Sequence, residues 1–112
     1  MKSNEEDILK VQTNTGHTVE GGERMGKWVE SEVESAMGEL AEHITRVVVH
    51  VSDENAAKGG DHDKRCVMEA RFEGHQPVAV THEADSVDQA VEGAATRLRT
   101  ALDHTLGRLR SH

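Results

Sequence analysis

Two sets of residues in this sequence have the types to do chemistry. One is a scatter of metal-ligand side chains, His50, Cys66, His75 and His82, with Asp61, His62 and Asp63 in the run DHD. The other is the closing stretch ATRLRTALDHTLGRLRSH, residues 95–112, where Arg97, Arg99, Arg108 and Arg110 stand against the single acid Asp103. The first set would make a zinc site. The second would make a surface for phosphate, because a guanidinium fork holds phosphate oxygens bidentately and never loses its charge.

Spacing argues against zinc. Structural zinc sites draw ligand pairs from short sequence intervals, and no C-x-x-C or H-x-x-x-H pair occurs here. His50 and Cys66 also fall on opposite sides of the strands that would carry them. No metal or cofactor is expected, and Cys66 reads as a core thiol. As the one cysteine of the chain it forms no intrachain disulfide, which fits a reducing compartment. Neither a nucleophile with its base nor a paired acid and base emerges, so no enzyme activity is expected. The glycines of KGGDHD precede no helix and read as a hairpin loop rather than a phosphate cradle. SDEN, residues 52–55, reads as a turn after a strand.

Charge gives the arginines more weight. The 112 residues carry a formal charge of −8, yet residues 93–112 hold a local +3, which leaves −11 for the remainder. Such asymmetry hints at an interaction surface. Tyrosine is absent and Trp28 and Phe72 are the only aromatics, so stacking on bases is a poor prospect and contact with nucleic acid would be electrostatic. The start MKSNEEDILK is acidic and lacks an apolar signal or membrane span. The expectation is a cytoplasmic protein with no membrane contact, a flexible acidic segment at residues 1–7 and one domain at 8–112.

Periodicity describes the elements that must position these side chains. In ERMGKWVESEVESAMGELAEHI, Met25, Val29, Val33, Ala36, Met37, Leu40 and Ile44 recur at helical steps, and glutamates fill the other faces. That predicts an amphipathic helix of about five turns. TRVVVHV, DKRCVMEARF and PVAVTH alternate instead, with Val47, Val49 and Val51, then Cys66, Met68, Ala70 and Phe72, then Val78, Val80 and His82 on apolar sides. Leu9, Val11 and Thr13 suggest an earlier strand. A last helix starts near Ser86, a capping residue with Gln89 three positions on. Its apolar stripe runs from Val87 to Leu109, with Arg97, His104 and Arg108 on one flank and Arg99 and Arg110 on the other. The order is β-α-β-β-β-α, an α+β fold with a four-stranded sheet and both helices packed on one face. Lys10, Arg46, Arg65 and Arg71 would then line the open face. Val48 and Val67, apolar yet on that face, are its weak points.

The strand order and DQAVEGAATRLRTAL resemble the ribosome hibernation promoting factor family, also described as ribosome-associated inhibitor or sigma modulation proteins. The likeness runs from about Lys10 to Arg110 and rests on Ile44, Thr45, Val47 and Val49, then on Ala90, Val91, Glu92, Arg97 and Leu98. HVSDEN, DKRCVMEAR, PVAVTH and LGRLR look like a short single-domain form of that family. Asp88, Thr100 and His104 depart from it, standing where many members carry a tyrosine and basic residues. The resemblance implies binding to small-subunit ribosomal RNA and neighbouring ribosomal proteins near the decoding region under stress or in stationary phase, inhibiting translation. Occupancy of this kind needs basic side chains on phosphates and no catalysis. The RNA-binding candidates are Arg97, Arg99, Arg108, Arg110, His104, Arg65, Arg71 and Lys10, on a monomer. The alternative is an acidic regulatory module that binds a basic protein through its first helix, with the arginines merely solvated.

Overall fold

The computed structural model describes residues 9–16, 22–53 and 64–110, with the side chains of residues 108–110 excepted. The expected flexible segment 1–7, the KGGDHD loop and the second half of SDEN lie outside the described residues. The elements run β1 (Lys10–Thr15), α1 (Glu23–Met37), a short 3-10 helix (Gly38–His43), β2 (Arg46–Asp53), β3 (Lys64–Arg71), β4 (Val78–Ala84) and α2 (Val87–Arg110). They form one four-stranded sheet in the order β1-β2-β3-β4. β1 runs parallel to β2 through the α1 crossover, and the remaining pairs are antiparallel. This is the expected α+β arrangement.

Alternation in the strands makes the sheet two-sided. Val47, Val49, Val51, Cys66, Met68 and Ala70 are fully or almost fully buried and join one cluster with Val29, Val33 and Met37 of α1 and Ala90, Val91, Ala94, Leu98 and Leu102 of α2. Strand residues of a single parity therefore meet both helices, which cover the same face. Each large apolar side chain withdrawn from water in this way contributes roughly 1.5–3 kcal/mol. The opposite parity carries Lys10, Arg46, Arg65, Glu69 and Arg71 on the uncovered face. Val48 belongs to that face yet is only 8% exposed. It stands in register between Gln12 and Glu69, one row along from the row that holds Lys10, Arg46 and Arg71.

The first helix is shorter than its apolar period predicts. The α-helix ends at Met37, and Gly38 adopts φ 53, ψ −127, a conformation that glycine reaches without strain. A 3-10 segment then keeps Leu40 on the buried side, and Ile44 follows it into the core. The sequence period survives the break because the tighter helix still aims these two residues inward. At the other end of the chain, Ser86 caps α2 as expected: its hydroxyl accepts the Gln89 N–H at 3.1 Å, and its carbonyl accepts from Ala90. Among the described residues no helix is long and apolar enough to cross a membrane.

Candidate nucleic-acid interface

The buried stripe of α2 fixes where its flanks point. With Ala94, Leu98 and Leu102 against the sheet, one flank overhangs the β4 edge and the other meets α1. Arg97 lies on the first. It is exposed, and its Nη1 donates to the Thr81 carbonyl at 3.2 Å, leaving the rest of the fork toward solvent. His104, seven residues on, is also exposed. Arg108 follows on the same helical flank, and Arg110 continues the other, but the side chains of both lie outside the described residues. Thr81, His82, Glu83 and Arg97 line a shallow groove of about 400 Å³ between β4 and α2. A carboxylate thus shares the surroundings of Arg97, so this groove is of mixed charge.

Arg99 has a different occupation from its neighbour two residues back. Its Nη1 donates to the carbonyls of Ala36 and Met37 at 3.0 and 3.1 Å, and its Nε pairs with Asp103 at 3.1 Å. The last turn of α1 contains no basic residue of its own. α2 therefore supplies the cation that the carbonyl end of α1 favours, and half-buries it in doing so. Arg99 ties the two helices together, with its hydrogen-bonding capacity largely spent inside the fold.

The other sequence candidates stand on the uncovered face of the sheet. Lys10 is opposite Arg46 across β1 and β2, and Arg46 is opposite Arg71 across β2 and β3, so three cations form one row. Arg71 makes an ion pair with Glu69 at 3.1 Å, with its side chain half exposed. Arg65 occupies a row farther along, between Ser52 and Glu83. Its Nε is buried and meets no acceptor. The eight predicted RNA contacts therefore divide into a helical group on α2 and a sheet group on the face away from it. Sequence reading assigned these side chains to faces, and it missed the row, because strand register is what brings Lys10, Arg46 and Arg71 together. The only advance signal was the shared parity of the three positions.

The metal-ligand residues are dispersed. Among the described residues no group of three or more His, Cys, Asp and Glu could hold a metal ion, and Asp61, His62 and Asp63 lie outside them. His50 is on the open face, Cys66 is in the core, and His75 stacks on Phe72 with ring centroids 5.3 Å apart. His82 faces the helices and packs so closely on α2 that a side chain at Gly93 would overlap its ring. Burial pushes the Cys66 thiol from 9.0 up to about 12, so the buried group stays protonated at neutral pH.

Comparison with known proteins adds what geometry alone does not. A model of the sigma 54 modulation protein / S30EA ribosomal protein family matches residues 13–110. A ribosomal subunit interface protein from Coxiella burnetii superposes with a TM-score of 0.71 at 14% identity, covering 89% of this chain and 99% of that one. The N-terminal domain of Thermus thermophilus Protein Y superposes with a TM-score of 0.65 at 16% identity, covering 86% of this chain and 98% of that one. No curated protein sequence matches the chain. At such identities the superpositions speak for the fold, which is the β-α-β-β-β-α sheet described above. The family match reaches from β1 to the last turn of α2, and on it the chain belongs to the sigma 54 modulation protein / S30EA ribosomal protein family.

Proposed function

We propose that this protein is a ribosome hibernation factor: a cytoplasmic monomer that binds the small ribosomal subunit near the decoding region under stress or in stationary phase and inhibits translation by occupying it. The observation that carries the reading is the family match over residues 13–110. The exposed flank of α2 supports it physically. Arg97, His104 and Arg108 share that flank, and Arg97 keeps most of its fork free for ribosomal RNA phosphate. Arg99 serves this surface by holding α2 against α1, and Arg110 extends the opposite flank. A chain of net charge −8 can approach RNA in this way because screening at physiological salt acts over about 8 Å, so the acidic surfaces need only be turned away.

Co-sedimentation with purified small subunits at several salt concentrations tests the proposal. The protein should sediment with the subunit at low salt. With two to four phosphates neutralised, the logarithm of affinity should fall against log salt with a slope of roughly −2 to −4. Replacing Arg97 and Arg108 by glutamine should flatten the slope by about two. If the parent protein fails to sediment at any salt while binding basic proteins through α1, the acidic regulatory module takes the place of this reading.

A further inference from the structure

We propose that Lys10, Arg46 and Arg71 form a second phosphate-binding row, on the open face of the sheet, which grips RNA backbone on the side of the molecule away from α2. The inference deepens the ribosomal RNA reading above and rests on it for the identity of the RNA. Arg46 is the central member, paired in register with Lys10 on one side and Arg71 on the other. Adjacent strands lie about 4.8 Å apart, so the three cations leave the sheet within roughly 10 Å of one another.

Like charges placed directly opposite one another destabilise a sheet. In this row the repulsion is barely relieved from within. Arg71 has Glu69 beside it, whereas Lys10 and Arg46 are both exposed and meet no carboxylate among the described residues. The described open face as a whole carries Lys10, Arg46, Arg65 and Arg71 against Glu69 and Glu83, an excess of cations on a chain whose overall charge is −8. Anionic groups bound to the row would remove the repulsion.

The chemistry of the face selects among anionic partners. A protein partner would need an aromatic or large aliphatic anchor to seat in a pocket. The described open face has no Phe, Trp or Tyr, and its apolar members Val48, Val67 and Ala79 are small. It offers charge in a line, which suits a sugar-phosphate backbone contacted without regard to sequence.

Titrating the isotope-labelled protein with a short RNA duplex, followed by NMR, reads the row directly. The backbone and guanidinium signals of Arg46 and Arg71 and the backbone signal of Lys10 should shift progressively, and added salt should reverse the shifts. The double variant Lys10→Gln/Arg46→Gln should bind the duplex roughly tenfold or more weakly, with a salt slope smaller by about two. Arg46→Lys, which keeps the charge, should restore most of the affinity. Circular dichroism checks that the exposed substitutions leave the fold intact. Open-face signals that stay unmoved, or a double variant that binds like the parent, overturn the row. Sedimentation with small subunits is a separate readout. If the parent fails there, the ribosomal reading falls, while the duplex titration still decides the row.

Discussion

Arg97 and Arg99 stand two residues apart on one helix and do different work, and the difference is measurable. Arg99 gives charge-assisted hydrogen bonds to two carbonyls at the end of α1. Arg99→Gln should therefore cost roughly 1–2 kcal/mol of stability, since such bonds are worth more than neutral ones but this side chain is partly solvated. Arg97→Gln, which gives up one contact to an edge carbonyl, should stay within about 0.5 kcal/mol of the parent in urea unfolding. Equal losses from the two would contradict the division of labour. Cys66 supplies a test at alkaline pH. Its folded thiol titrates near 12 against 9.0 unfolded, so the neutral form is favoured by folding. Stability from this group is whole below pH 9.0 and is lost as pH rises from there toward 12, at up to about 1.4 kcal/mol per pH unit. Cys66→Ala should show a shallower decline over that window than the parent. Identical pH profiles would mean that the thiol is more hydrated than its position between Val51 and His82 implies.

At the scale of elements, two glycines mark where local geometry overrides composition, one through its backbone and one through a close approach. Gly38 holds φ 53 between α1 and the 3-10 segment, and an added side chain would lie 3.4 Å from the Arg99 guanidinium. Gly38→Ala should cost roughly 1–3 kcal/mol, mostly from backbone strain. Gly93→Ala should cost a similar amount, roughly 1–3 kcal/mol, by forcing the His82 ring out of its place on α2. Thermal unfolding of the two variants checks both figures. These positions also show which parts of the structure could be read from the residues. The alternation of Val47, Val49 and Val51 and the Ser86 cap are local signals, and each specified its element. The end of α1 at Met37 was hidden, because Leu40 and Ile44 keep the apolar period through a change of helix type. The role of Arg99 was hidden for another reason: a helical wheel gives the direction of a side chain but not the carbonyls waiting opposite it. The cation row depended on the register between β1 and β2, strands separated by a whole crossover, which no local pattern specifies.

For the molecule as a whole, the question is whether its two basic surfaces work together. Arg97 sits where α2 overhangs the β4 edge, and the Lys10–Arg46–Arg71 row lies on the opposite face, with Arg46 two strands, or roughly 10 Å, from β4. Groups so separated and sharing no partner have additive effects, to within about 0.3–0.5 kcal/mol, when both contribute to one bound state. If ribosomal RNA contacts both faces at once, the affinity losses of Arg97→Gln and of Lys10→Gln/Arg46→Gln should add in the triple variant. The reductions in salt slope should add in the triple variant as well, since each lost phosphate contact removes its own counterion release. A protein that instead docks by one face or the other behaves differently. Each single-face variant would then bind nearly as well as the parent, through its intact side, and the triple variant would lose far more than the sum. Measuring all four proteins against small subunits at matched salt separates the cases. Additive losses place the domain between two stretches of RNA, with its acidic α1 turned toward solvent. A synergistic loss in the triple variant would rule that arrangement out.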